Sequence, residues 1–374
     1  MNNVLIIATT SYAGMGPYVI NIVNGFYQDD CVFFFFCEYD DWFFKKNINQ
    51  ELYCKSTFLY TPNTKWNKIR NVLPIKKKYH NSVIAFCKKN KIQVVHFING
   101  PGDRILVKSL NCLNIVSVST VHDLHPHECK KEWYKELFTR IKFKQLVKNL
   151  NVANNIITNS PTQYELLRRE NSNKHVFFHD FPSLVTKAVA AGTKKIVELE
   201  KTEKPYILFF GRIEEYKGIS LLYEAFITSP EINEKYNLLI AGEGKLPMSS
   251  NNENNIIYLN RYIEDEEVAF LYLNASCVVY PYISATQSGV LSLAFFFKTP
   301  VLCSDVSFFK DIINRSAAGK LFKRGDVSDL KTKLIELLNI NNNKMIENGI
   351  HYYENNYDKR AISEKLIQIY DYIG

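Results

Sequence analysis

The chain has 374 residues, of which 46% are hydrophobic and 22% charged, and it carries a formal net charge of +8 at pH 7. That length exceeds the roughly 250–300 residues one hydrophobic core usually serves, and the composition is that of a folded globular protein, so a small stapled module, a disordered chain and a coiled coil are excluded. The positive charge suits phosphate-bearing ligands, an anionic membrane surface or nucleic acid, and by itself it selects none of them.

In the first half, Val4–Ala8, Val32–Cys37, Val94–Phe97, Ile115–Val118 and Ile156–Asn159 are short apolar runs of strand length. Helical patterns lie between them over Tyr18–Phe26, Asn81–Lys89 and Lys131–Lys148, and alternation of the two predicts a parallel sheet. The opening Met-Asn-Asn-Val-Leu-Ile-Ile-Ala has no basic n-region and too short an apolar stretch for a signal sequence. It is taken as the first strand, with a cytoplasmic location expected.

The second half repeats the alternation. Strands are expected at Ile207–Phe210, Leu238–Ala241, Ile256–Leu259, Val278–Tyr280 and Val301–Cys303, and helices at Ser220–Phe226, Glu266–Leu273, Val290–Phe296 and Ser328–Leu338. Between the halves, Pro182 to Pro205 loses the strand pattern and collects Ala, Gly, Lys and Glu. The expected layout is therefore two Rossmann-like doubly wound α/β domains, at 1–183 and 205–352, joined by a linker at 184–204. A C-terminal helix over 353–374 packs back towards the first domain. No apolar run approaches the ~18–20 residues that span a bilayer. Eight cysteines are scattered without a C-x-x-C pair, which supports neither a disulfide framework nor a zinc site.

Ligands of such sheets bind beyond the carboxyl ends of the strands, so the strand-to-helix loops hold the candidates, and two facing domains would enclose a cleft. Tyr206-Ile-Leu-Phe-Phe-Gly-Arg-Ile-Glu-Glu-Tyr-Lys-Gly218 is built for an anion: Gly211 permits close backbone approach, Arg212 offers a forked donor, and Lys217 a point charge before a helix. The competing reading is a surface turn with two solvated cations. In Val278 to Ala294 a strand and a polar loop precede a helix starting near Gly289, where Ser288, Gly289 and Val290 present amides. Two anion-ready loops in one domain suggest a diphosphate; an ordinary N-cap by Gln287 and Ser288 is the alternative.

In the first domain, Gly14 and Gly16 follow the first strand. They imitate a dinucleotide fingerprint but begin too late, and Val19 holds the third glycine position. A glycine loop over a substrate and a bland connector are both open. Ser119-Thr-Val-His-Asp-Leu-His-Pro-His127 tempts a metal reading but lacks helical ligand spacing, so His122 is weighed as a residue that orients or deprotonates an acceptor hydroxyl, or that simply bonds the loop. Lys130–Lys148 mixes seven Lys or Arg with aromatic residues. It reads as a core-packed helix with a solvated basic face or as a contact with an anionic membrane; no nucleic-acid motif accompanies it.

Across almost its whole length the chain resembles the family-4 glycosyltransferases of GT-B architecture, a bacterial group 1 type. The residues that carry this are Gly211-Arg212-Ile-Glu-Glu-Tyr-Lys217-Gly218, Leu239-Ile-Ala-Gly-Glu-Gly244, Thr286-Gln-Ser-Gly-Val290 and Lys298-Thr-Pro-Val301. The resemblance implies an acceptor domain followed by a nucleotide-sugar domain, and transfer of a sugar from a nucleotide diphosphate sugar to an acceptor hydroxyl. It implies retained anomeric configuration and neither metal nor other cofactor. Arg212 and Lys217 then match the pair that neutralises the leaving diphosphate, and Ser288, Gly289 and Val290 the amides on phosphates and sugar, with Gln287 beside them. Arg261-Tyr262-Ile263 matches the stretch that meets the base, Gly14 and Gly16 the first-domain glycine loop, and His122 the histidine near the reacting centre.

One departure stands out. Many members carry two glutamates eight residues apart in the last loop, and those positions here are Ala285 and Leu293. The expected role is bacterial surface polysaccharide synthesis, such as O-antigen, capsule or exopolysaccharide, on a glycan or lipid-linked glycan, in the cytoplasm and at the inner face of a membrane. A diphosphate-sugar epimerase and a catalytically dead sugar-nucleotide or glycan-binding protein are the rival readings.

Overall fold

A computed structural model describes residues 2–11, 14–60, 77–122, 144–200, 202, 204–245, 255–285 and 288–374. Gln287 and most of Lys130–Lys148, both singled out above, lie outside the described residues. The chain divides into two compact units, one of Met1–Pro182 with Lys359–Gly374 and one of Ser183–Asp358.

The first unit holds strands β1 (Val4–Ala8), β2 (Val32–Glu38), β3 (Ser56–Tyr60), β4 (Val94–Phe97), β5 (Val116–Val121), β6 (Asn155–Thr158) and β7 (His175–Phe178). They form one parallel sheet in the order β3-β2-β1-β4-β5-β6-β7. The central strands are apolar on both faces because helices cover both, and every residue of β1 is buried. Strand order reverses between β1 and β4, and there the loops are tied: the Asn99 side-chain oxygen accepts from the Thr9 and Thr10 amides at 2.7 and 3.2 Å. The C-terminal helix Lys359–Ile373 belongs to this unit; Ser363 Oγ donates to the Gly25 carbonyl at 2.8 Å, and Ile362, Leu366 and Tyr370 are buried.

The second unit holds β8 (Tyr206–Phe210), β9 (Asn237–Ala241), β10 (Ile256–Leu259), β11 (Ala275–Tyr280), β12 (Val301–Ser304) and β13 (Lys320–Phe322), in the order β10-β9-β8-β11-β12-β13. All pairs are parallel. Residues 184–204 are part of this body: they carry the helix Lys187–Ala191 and bury Val185, Val189, Ile196 and Leu199 in its core. Tyr353–Tyr357 forms a π-helical turn whose Tyr357 is buried in the same core, and the C-terminal helix starts only beyond it, because extended Asp358 interrupts the path. The reversal of strand order falls between β8 and β11, so a crevice is expected beyond their carboxyl ends.

Three strands escape the sequence pattern, β3, β7 and β13, and each is an edge strand. Edge strands keep one side in water and need no continuous apolar run; most residues of all three are half-buried. Among the described residues, no helix is long and apolar enough to cross a membrane.

Candidate active site

Both anion-ready loops emerge at the reversal point of the second sheet. Directly after β8, Gly211 takes φ +136°, and its amide continues the ladder to the Ala241 carbonyl at 3.0 Å. Gly242 stands beside it after β9 at φ +144°, and a Cβ there would lie 2.1 Å from the Gly211 carbonyl oxygen. These glycines let two strand ends approach more closely than side chains permit.

The chain then turns through Glu215–Lys217 into left-handed Gly218, at φ +68°, which opens the helix Ile219–Ile227. A Cβ on Gly218 would sit 1.9 Å from the Pro281 carbonyl oxygen, and the Ile283 amide donates to the Tyr216 carbonyl at 2.7 Å. The loop after β8 is thereby stitched to the loop after β11.

Lys217 lies inside this seam, only 8% exposed. Its Nζ donates to the Tyr282 hydroxyl at 2.5 Å and stands 4.1 Å from the centre of the same ring. Burial lowers the Lys217 pKa; neighbouring Tyr216 and Glu214 oppose that and Arg212 adds to it. Arg212 is 58% exposed in its side chain and pairs with Glu214 at 2.9 Å. An exposed pair of that kind is weak, so the guanidinium is readily given up to a better anion. The result is a buried cation beside an exposed one at a glycine-lined strand end, a field that favours a multiply charged anion.

The second loop supplies the other wall. Tyr282 shares a hydrogen bond with the Ser288 side chain. Gly289 precedes the helix Val290–Phe296, and a Cβ there would lie 2.5 Å from Leu184 Cγ, so close packing explains that glycine. The Val290 side chain is buried and its carbonyl accepts from Tyr280 Oη at 3.1 Å, which leaves only its backbone amide for a ligand. Ala285 packs against the core and Leu293 is buried within it, so neither position offers a polar group.

The candidates near the expected base are differently placed. Arg261 is held by Glu267 through bonds of 2.7 and 3.1 Å and by Glu198 at 3.5 Å. Its guanidinium is occupied in fixing the start of the helix Asp265–Leu273. Ile263 is buried, while Tyr262 between them is 69% exposed.

In the first unit, His122 follows β5; its Nε2 contacts the Ile98 carbonyl at 2.9 Å, and its ring meets Tyr18 edge-on at 4.7 Å. Gln163 donates to the His122 carbonyl at 3.0 Å. Gly14 starts the helix Met15–Val23 with open space around it, whereas a Cβ on Gly16 would strike the Phe43 ring at 2.7 Å. The two glycines therefore differ in kind: Gly14 leaves backbone accessible, and Gly16 serves packing.

Beneath these loops runs a buried polar chain that the sequence pattern misses. His96 contacts Tyr370 Oη and Thr120 Oγ1, both at 2.7 Å; Tyr18 Oη donates to Asn159 at 3.1 Å, and Asn159 donates to the His179 carbonyl at 3.1 Å. Burial lowers the His96 pKa to about 3 and the His179 pKa to about 4. Among the described residues, no group of three or more His, Cys, Asp or Glu is placed to hold a metal ion.

Residues 190–352 match the model of the family described as glycosyl transferases group 1. The matched stretch lies within the second unit and covers most of it. Two curated relatives of the chain are a phosphatidyl-myo-inositol mannosyltransferase of Mycobacterium leprae, 24% identical over 175 residues, and the O-antigen chain mannosyltransferase B of Escherichia coli, 25% identical over 243 residues. These matches span 45% and 59% of this chain, and 46% and 61% of the relatives. Anabaena HepE, solved in complex with UDP and glucose, superposes with a TM-score of 0.70 at 13% identity, covering 100% of both chains. The chain has the GT-B fold, and its second unit carries the Arg212 and Lys217 seam.

Proposed function

We infer that the protein is a family-4 glycosyltransferase. It moves a sugar from a nucleotide diphosphate sugar to an acceptor hydroxyl with retention of configuration. The observation that carries this is the placement of buried Lys217 and exposed Arg212 at the reversal point of the second sheet, against the Ser288 loop. When the bond from sugar to diphosphate breaks, its electron pair leaves with the phosphate oxygen, and the charge that builds there is what the two cations stabilise. The donor's base lies by the Arg261 to Ile263 loop. The charge is met by the chain's own cations, with no metal required.

His122, whose ring meets Tyr18 of the helix that Gly14 opens, is assigned to the acceptor side. With mannosyltransferases among the relatives, one of them O-antigen related, the reading extends to bacterial surface polysaccharide, on a glycan or lipid-linked glycan acceptor. A first test is release of nucleoside diphosphate from UDP-glucose and GDP-mannose by the wild-type chain and by Lys217→Ala. Release is expected from one donor, increased by acceptor and lost in the variant. Binding of a nucleoside diphosphate with no turnover of any donor would favour the binding-protein reading that Ala285 and Leu293 invite.

A further inference from the structure

We propose that Tyr282 is a positioning residue of the diphosphate site, acting through Lys217; this rests on the diphosphate reading above. An ammonium has three N–H groups. Tyr282 takes one of Lys217's at 2.5 Å, and the Tyr216 ring centre lies 5.4 Å from the same Nζ. The same Tyr282 hydroxyl is bonded to Ser288, so one phenol oxygen joins the cation of the first loop to the polar wall of the second.

The ring is fixed independently of its hydroxyl. It is 1% exposed, packs on Phe309 at 4.9 Å and Tyr280 at 6.0 Å, and its backbone carbonyl accepts from Ser304 Oγ at 2.7 Å. A lysine side chain has four rotatable bonds and many rotamers; a buried hydrogen-bond acceptor and a ring face at 4.1 Å reduce them to one. The hydroxyl thus preorganises the charge before the donor arrives.

The test is a double-mutant cycle on the full chain, read as UDP and GDP affinity by calorimetry and as kcat and KM for the donor. Tyr282→Phe keeps the ring and removes the hydroxyl; it lowers kcat/KM about ten- to a hundredfold, the scale of a hydrogen bond to a charged group. In a Lys217→Ala background the same change has no further effect. An equal loss in both backgrounds, or no loss in the wild-type background, overturns the proposal. If Lys217→Ala abolishes diphosphate binding while Tyr282→Phe behaves as wild type, the diphosphate reading stands and the Tyr282 role falls. If Lys217→Ala binds as wild type does, the diphosphate reading itself falls. Should Tyr282→Phe fail to fold, Ser288→Ala interrupts the same chain from its other end, with a smaller loss that again vanishes when Lys217 is absent; an unchanged Ser288→Ala overturns the proposal.

Discussion

The Lys217 ammonium and the Tyr282 phenol oxygen, 65 positions apart in the chain, lie 2.5 Å from each other. That contact adds a side-chain link to two strand-end loops already stitched through the Ile283 amide and the Tyr216 carbonyl. Each loop alone reads as an ordinary turn; joined, they hold a desolvated cation at the reversal point of a parallel sheet.

The cation pair makes the most direct prediction. Lys217→Ala and Arg212→Ala each lower kcat/KM for the nucleotide sugar by about 10²-fold or more, the scale of a preorganised contact to developing charge. Lys217→Arg does not restore the loss, because a planar guanidinium does not fit a slot shaped around Nζ between Tyr216 and Tyr282. Steady-state kinetics checks all three.

Arg261 separates stability from ligand contact. Its partner Glu267 is buried, and the Arg261 side chain is the main influence that lowers the Glu267 pKa. Removing the guanidinium leaves a buried carboxylate with the Glu264 amide at 3.0 Å and Lys194 at 3.6 Å but without its bidentate partner. Arg261→Ala therefore lowers the melting temperature by several degrees, while nucleoside diphosphate affinity changes less than threefold. Melting curves and calorimetry on the same preparation decide it.

Much of this was legible because sequence neighbours are spatial neighbours within a loop. Gly211, Arg212 and Lys217 fall within seven residues at the end of one strand, and apolar runs mark β1, β4 and the central strands of the second sheet. Edge strands β3, β7 and β13 carry no such run, for the reason their position gives. The helix Pro161–Glu170 carries its own signal, since Ser160 caps it and Pro161 starts it. Tyr282 gave no signal, because its partner is set by the fold and not by spacing. His96 and His179 sit among apolar strand residues and look like solvent-facing polar positions until the sheet is assembled.

Gly14 and Gly16 form a contrasting pair. Gly16→Ala places a methyl group 2.7 Å from the Phe43 ring and 2.9 Å from the Ser11 carbonyl, and it destabilises the unit by about 1–3 kcal/mol. Gly14→Ala meets nothing within 4 Å and leaves the melting temperature within a degree or two. If that loop covers a substrate, Gly14→Ala changes KM at unchanged stability.

The buried histidines predict a pH dependence of stability. In the unfolded chain a histidine takes up a proton near pH 6.5. In the folded chain burial, aided by the other histidines, holds His96 neutral down to about pH 3. His179 stays neutral down to about pH 4, with Asp180 raising and Lys365 lowering its pKa. As pH falls below about 6.5 the unfolded state gains protons that the folded state refuses, so stability is full above that pH and is lost through the window towards pH 4 and 3. The slope is about 1.4 kcal/mol per pH unit for each histidine. Urea midpoints at pH 7, 6 and 5 measure it, and His96→Gln makes the slope shallower.

The central claim is that the second unit binds the diphosphate of a nucleotide sugar through Arg212 and Lys217. Thermal stabilisation of the full chain against UDP, GDP, ADP, CMP and NAD tests it most directly, since a ligand that binds only the folded state raises its apparent stability. The expected result is a rise with one nucleoside diphosphate, none with CMP or NAD, and loss of that rise in Lys217→Ala. No rise with any diphosphate at millimolar concentration, or an equal rise in wild type and Lys217→Ala, would contradict it.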